Sequence, residues 1–218
     1  MMEITTLSEL TIDGKLALGP GGDSKDLFAF TTDELKAWFH GQRAERDAIM
    51  VGANTVRVDD PELTVRHVRG PNPLRVIPSS DGLLPMDRRL LNDGIPTLVV
   101  VSRRATPEAI AALQAKPAVE VMVCGEGQVD LAGLMPRLEA RGVRSMIVEG
   151  GSELLSSLFE ADLVSAIIIK HIPVIAGSPE APTYLNGKTL PLSRWALREW
   201  FVKGGVGVSI YGAAEAAD

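Results

Sequence analysis

The 218-residue chain has a single cysteine, Cys124. That count excludes an internal disulfide framework and a multi-cysteine zinc site, and it fits a reducing compartment. His40, His67 and His171 show no metal-ligand spacing, so no metal is expected. Aromatic residues make up 5% of the chain, which leaves a mostly aliphatic core. No apolar run approaches the ~18 residues of a membrane-spanning helix. The start, MMEITTLSEL, has no basic segment followed by an apolar stretch, so it does not read as a secretory signal. Lys and Arg number 22 against 28 Asp and Glu, giving a net charge of −6. That balance argues against nucleic acid or an anionic membrane as the main partner. There is no internal repeat and no low-complexity linker. The expectation is a cytoplasmic protein with one domain over residues 1–212 and a frayed tail at 213–218.

What the chain does contain is an alternation of short apolar runs, turn signals and helical patterns, which predicts an α/β fold. Strands are expected at 48–51, 74–77 (ended by Pro78), 97–101, 119–123, 143–148 and 163–169. Residues 10–18 read as a strand broken by Asp13-Gly14-Lys15. Thr31 and Glu34 form a capping box for one helix. Thr106-Pro107-Glu108 starts another, with proline at the first helical position. Asp130 caps a third, with Leu131, Leu134 and Leu138 on one face, Pro136 weakening it or marking its first turn, and Gly142 closing it. Residues 58–61 read as a turn and 63–66 as short and extended. Residues 195–202 and 206–211 form a hairpin around Gly204-Gly205. The implied sheet is mixed and mostly parallel, with a C-terminal antiparallel hairpin and a ligand at the carboxyl ends of the strands.

The most informative stretch is Val148-Glu149-Gly150-Gly151-Ser152-Glu153-Leu154-Leu155, a buried strand, a glycine turn and a helix start. Unpaired N–H groups and the helix dipole at such a turn favour an anion such as a pyrophosphate. Three further strand ends are small or polar: Gly52-Ala53-Asn54-Thr55, Ser102-Arg103-Arg104 and Gly125-Glu126-Gly127. Taken singly, each glycine is a turn and each arginine a solvated charge. Together on one sheet edge they point to a nucleotide site, and the Ser-Arg corner suits the 2′-phosphate of NADPH. Lys15, Asp59, Asp60 and Glu149 are proton-transfer candidates. Their structural alternatives are a hairpin turn for Lys15, a turn at Asp59-Asp60-Pro61, and a helix cap for Glu149. Ser24, Arg43 and Arg66 suit a phosphate clamp, although Arg43 late in a helix also complements its dipole. Cys124 reads as a small buried apolar residue.

The motifs 11–15 (TIDGK), 47–56 (DAIMVGANTV) preceded by Arg43, 59–66 (DDPELTVR), 73–76 (PLRV) and 148–151 (VEGG) resemble the reductase of riboflavin biosynthesis. The similarity runs from about residue 10 to 211. The segment 172–184 (IPVIAGSPEAPTY) is most similar to free-standing, archaeal-type members. The resemblance implies a dihydrofolate-reductase-like three-layer fold, NADPH as hydride donor, and a homodimer. The implied substrate is a pyrimidine ribosylamine 5′-phosphate, reduced at its ribosyl C1′ to the ribitylamino product. By the family pattern, Thr55, Asp59, Ser102 and Gly151 to Ser157 (Ser152, Glu153, Leu154 and Leu155 among them) fall on the cofactor, and the strand ends add Asn54, Arg103, Gly125 and Gly150 as cofactor candidates. Ser24, Arg43, Leu63, Arg66 and Glu149 fall on the substrate and Lys15 on a lysine that faces the ribose, and the need for a proton donor there makes Lys15, Asp59 and Glu149 the catalytic candidates. Four places depart from the pattern, one of them Ser165, which replaces an acid common after Leu163-Val164. Pro78-Ser79-Ser80 stands where an aspartate is common, Ser8-Glu9-Leu10 replaces small residues, and 26–30 is lengthened. Two competing functions remain: a dihydrofolate or dihydropterin reductase on the same fold, and a non-catalytic NADPH-binding regulator. The first predicts turnover with a pterin, the second binding without turnover.

Overall fold

The computed structural model describes residues 2–22, 24–185, 190 and 192–214, with only the backbone of Ser24 and Lys25. Among the described residues nine strands form one sheet: β1 (Glu3–Thr11), β2 (Ala48–Met50), β3 (Leu74–Pro78), β4 (Thr97–Val101), β5 (Val119–Val123), β6 (Ser145–Val148), β7 (Ala166–Ile172), β8 (Trp195–Lys203) and β9 (Val206–Ala213). Their spatial order is β5-β4-β3-β2-β6-β1-β7-β9-β8. The seven strands from β5 to β7 run parallel. Strand β9 pairs antiparallel with β7, and β8 with β9. This is the mixed, mostly parallel sheet with a C-terminal hairpin that the sequence predicts.

Among the described residues five α-helices cover the two faces: α1 (Asp33–Ala44), α2 (Ala53–Asp59), α3 (Pro107–Gln114), α4 (Leu131–Ala140) and α5 (Ser152–Glu160). Side chains alternate across the strands. Ile49, Ile77, Val99 and Ile147 therefore face one core, with Leu35, Phe39, Val56 and Leu113 from α1, α2 and α3. Met50, Val76, Leu98 and Met146 face the other, with Leu134, Leu138, Leu155 and Leu158 from α4 and α5. The result is the expected three-layer arrangement.

Several boundaries differ from the sequence reading. Strand β1 begins at Glu3 and ends at Thr11, before the Asp13-Gly14 turn, rather than covering 10–18. It carries buried Thr5, Thr6, Ser8 and Thr11, a polar content that hides a central strand. Most of these find partners: Thr6 Oγ1 meets the Tyr184 hydroxyl at 3.1 Å and Thr11 Oγ1 donates to Asp13 at 2.6 Å. The N-cap of α1 is Thr32, whose hydroxyl accepts from the Leu35 N–H at 3.3 Å. Thr31 instead donates to the Phe28 carbonyl. Helix α2 occupies part of the expected turn; it is seven residues long, and its N-cap, Gly52, supplies no side-chain hydrogen bond. Pro136 lies inside α4, beyond its first turn. Strand β6 starts at Ser145 and β7 at Ala166, because Leu163 and Val164 pack on the core from the preceding loop. Ala213, placed in the tail by the sequence reading, ends β9, and residues 215–218 lie outside the described part.

Candidate active site

A cleft of about 1250 Å³ opens at the carboxyl ends of β1, β2, β3 and β6. The wall on the α5 side is the glycine turn. Gly150 has φ +98° and Gly151 φ +61°, both in the left-handed region. A Cβ on Gly151 would lie 3.1 Å from Thr55 Oγ1, so this position brings the start of α5 close to α2. Gly52 donates its N–H to the Gly150 carbonyl at 3.3 Å, tying the ends of β2 and β6 together. The exposed N–H groups of the first turn of α5, with its dipole, form a cradle for an anion.

Glu149, the last residue before that turn, is paired with Arg43 from the last turn of α1. Arg43 Nε donates to Glu149 Oε1 at 2.7 Å and Nη2 to Oε2 at 2.6 Å. The side chains are 7% and 8% exposed. Arg43 Nη1 also donates to the Thr64 carbonyl at 2.9 Å, and its guanidinium lies 4.4 Å from the Phe39 ring centroid. A buried charge pair of this bidentate geometry is rigid and directional.

The third wall is the loop after α2. Asp60 (φ 42°) and Leu63 (φ 53°) sit in the left-handed region, and Leu63 is fully buried. Such strain persists only where the surroundings fix it. Arg89 supplies part of that fixation, donating its backbone N–H and Nε to the Asp60 carboxylate at 2.9 and 3.0 Å. Partial burial pushes the Asp60 carboxyl up, but these hydrogen bonds hold it below its ordinary value. On the other side, His40 Nδ1 accepts the Arg66 N–H at 3.1 Å. Burial and the nearby charges of Arg43, Arg66 and His67 depress the His40 pKa to about 3, so the ring is neutral. The Arg66 guanidinium contacts Glu62 and donates to Thr64 Oγ1 at 2.9 Å.

Asn54, Thr55, Asp59, Arg43, Leu63, Arg66, Glu149, Gly150, Gly151, Ser152, Glu153, Leu154 and Ser157 all line this cleft. Other residues singled out in the sequence do not. Lys15 Nζ donates to the carbonyls of Pro179 and Ala181, at 3.4 and 3.3 Å, beside the cleft wall. Ser102 is buried and donates to the Ser80 carbonyl at 2.8 Å. Arg103 is 73% exposed and pairs with Glu126. Leu155 is core. At Gly125 a Cβ would fall 2.1 Å from the Gln128 carbonyl, so its role is to let the 125–130 loop close on itself. The side chain of Ser24 lies outside the described residues.

Phe39, Asp81 and Lys170 line the cleft without being site candidates in the sequence, and Glu9, Ser80 and Arg104, which also line it, stood there only as departures from the family pattern or as part of a strand end. Arg104 was in view as the third residue of Ser102-Arg103-Arg104, and it is this arginine rather than Arg103 that reaches the cleft. The pairing of Glu9 with Lys170 carries no local sequence signal. Among the described residues there is no cluster of metal-ligating side chains.

Comparison with known proteins gives a consistent picture. The chain is 38% identical over 206 residues to the 2,5-diamino-6-ribosylamino-4(3H)-pyrimidinone 5′-phosphate reductase of Aquifex aeolicus, covering 92% of each chain. It is 38% identical over 189 residues to the Archaeoglobus fulgidus protein of the same name, covering 82% of this chain and 84% of that one. In fold it is similar to a pyrimidine reductase-like protein from Corynebacterium diphtheriae, with a TM-score of 0.80, 19% identity, and coverage of 98% and 92%. The model of the RibD C-terminal domain matches residues 3–205, and the chain belongs to that family.

Proposed function

We propose that this protein is an NADPH-dependent reductase of a pyrimidine ribosylamine 5′-phosphate, forming the ribitylamino product of riboflavin biosynthesis. The observation that carries the reading is one cleft shared by the α5 glycine turn, the Arg43–Glu149 pair and the Asp60–Arg66 loop. The 38% identity to reductases named for that substrate supports it.

The residues present fit a nicotinamide dinucleotide. Nothing lies within 4 Å of where a Cβ on Gly150 would stand, and the open N–H groups at the start of α5 beside it suit a pyrophosphate. Arg104 and Arg57, both in the cleft wall, approach Asp81 at 3.7 and 3.6 Å. They supply the cationic corner that a 2′-phosphate needs. Asp81 beside them is offset by two guanidinium groups.

When bound, the nicotinamide supplies a hydride to the electrophilic C1′ of the opened glycosylamine. The chain's own residues position the acceptor, and positioning dominates such a step. In this reading the Arg66 guanidinium holds the 5′-phosphate, helped by Arg43. The Glu149 carboxylate, oriented by Arg43, accepts a ribose hydroxyl, and Asp59 faces the same ribose. Lys15 stands just outside the cleft on the carbonyls of Pro179 and Ala181, and it turns its ammonium inward from them to deliver the proton to the sugar ring oxygen as the ring opens.

The exposed Leu197, Trp200 and Val202 on edge strand β8 support a homodimer, because an apolar edge strand marks an association face. The test of the proposal is NADPH oxidation with three acceptors in parallel: the diaminopyrimidine ribosylamine phosphate, its deaminated form, and dihydrofolate. Oxidation with a ribosylamine phosphate is expected, and activity confined to dihydrofolate would overturn it.

A further inference from the structure

A second buried ion pair lines the same cleft. Glu9 of β1 and Lys170 of β7 are register partners in adjacent parallel strands. Lys170 Nζ donates to Glu9 Oε1 at 2.5 Å. The lysine side chain is 2% exposed and the glutamate 10%. The ammonium also sits 3.9 Å from the centroid of the Phe39 ring, which carries the Arg43 guanidinium as well. Phe39 thus joins this pair to Arg43–Glu149.

Two charges withdrawn from water are well compensated only when their remaining N–H groups and lone pairs are also satisfied. Among the described residues, the Lys170 ammonium has Glu9 and the Phe39 face as partners, which leaves donor capacity for a third. Glu9 Oε2 has no hydrogen-bond partner among them. Both residues line the cleft, so the pair presents a donor beside an acceptor to whatever enters.

A 2-aminopyrimidin-4-one has the opposite pattern along one edge. Its C4 carbonyl oxygen accepts, and its N3–H and 2-amino group both donate. Removal of the 2-amino group by deamination puts a second carbonyl there, with lone pairs facing a carboxylate. We infer that the Glu9–Lys170 pair reads this edge and selects the 2-amino substrate over its deaminated form. Lys170 donates to the C4 carbonyl, and Glu9 accepts from N3–H and the 2-amino group. The inference rests on the pyrimidine reductase reading of the cleft and goes beyond it in assigning substrate choice to two residues.

A site that leaves a buried polar group unpaired against the wrong substrate discriminates strongly. Wild-type protein is therefore expected to show a kcat/KM at least ~10-fold higher for the diamino than for the deaminated phosphate. Glu9→Gln replaces the carboxylate by a group that both donates and accepts, and should collapse that ratio at least ~10-fold. NADPH affinity, followed by fluorescence titration, should stay the same. Because Glu9→Gln leaves Lys170 buried without its counter-charge, the double variant Glu9→Leu/Lys170→Met provides an apolar replacement with the charge removed. It too should lose the ratio while remaining folded by thermal melt. A wild-type preference for the deaminated substrate would overturn the inference. So would an unchanged ratio in folded variants, or loss of fold in both variants, which would make the pair purely structural. If wild-type protein reduces neither phosphate, the functional reading itself fails, and the pair's role with it.

Discussion

Arg43 and Glu149 lie 106 positions apart in sequence and meet through two hydrogen bonds of 2.7 and 2.6 Å in the wall of the cleft. The contact fixes the last turn of α1 to the end of β6, beside the glycine turn that opens α5. Two ligand sites in this account share that seam: the anion cradle on one side of Glu149 and the substrate loop on the Arg43 side.

Glu149→Gln should lower kcat by about 100-fold or more, because the amide is a weaker, uncharged acceptor for the ribose hydroxyl. NADPH binding should change less than about twofold in titration, a comparison that separates the acid from the glycines next to it. Glu149→Ala goes further and leaves Arg43 buried without a counter-charge. Its cost in denaturant unfolding should be about 3–5 kcal/mol. Unchanged turnover in Glu149→Gln would remove this carboxylate from the mechanism.

Gly151→Ala acts on the cofactor side. The position has φ +61°, and the new methyl carbon would sit 3.1 Å from Thr55 Oγ1. We expect KM for NADPH to rise by about 10-fold, with a stability loss of about 1 kcal/mol or more from the left-handed backbone. KM for the pyrimidine should move little. Equal effects on both KM values would show that the turn shapes the whole cleft rather than the cofactor cradle.

Arg66→Ala should raise the KM for the phosphorylated substrate by about 100-fold with kcat nearly kept, the pattern of lost uniform binding. Turnover of a dephosphorylated ribosylamine should be poor and should not respond to the substitution. A parallel loss with the dephosphorylated compound would place Arg66 elsewhere in the site.

His40 supplies a pH test. Its ring accepts the Arg66 N–H and is held neutral by burial and neighbouring positive charge, with a pKa of about 3. The folded pKa lies below the unfolded value of 6.5, so the unfolded chain takes up a proton first. This stabilisation is complete above pH 6.5 and is lost progressively as pH falls toward 3. His40→Asn keeps a polar side chain but removes the titration. The difference in melting temperature between wild type and His40→Asn should shrink as pH drops from 7 to 5. A constant difference across that range would show that His40 does not titrate on unfolding.

Strands β4 and β5 and the start of α3 could be read directly from the sequence. The run of β4 after Thr97 is unbroken and apolar, β5 is β-branched and apolar apart from Glu120, and Thr106-Pro107 marks the helix start. Strand β1 escaped because its neighbours β6 and β7 bury it whatever its polarity, and side-chain hydrogen bonds accommodate its threonines. Helix α2 escaped because it is short and its N-cap is a glycine with no side chain to signal the start. In the cleft, glycine turns are local and legible, as at Gly150-Gly151. Charge pairs are not: Glu9 and Lys170 are 161 residues apart and meet only through the β1–β7 register. The expected Ser102-Arg103 phosphate corner shows a related limit. A strand end fixes which residues come next, but hydrogen bonding inside the turn decides that Ser102 points inward and Arg104 toward the cleft.

The central claim is that the cleft delivers a hydride to the ribosyl C1′ of a phosphorylated pyrimidine ribosylamine. The most direct measurement uses NADPH deuterated at the transferable nicotinamide position, with the diaminopyrimidine ribosylamine phosphate as acceptor, and locates the label in the product by mass spectrometry and NMR. The account predicts one deuterium per product molecule, on C1′ of the ribityl chain. A product labelled on the pyrimidine ring, or oxidation of NADPH with no label in the product, would contradict it.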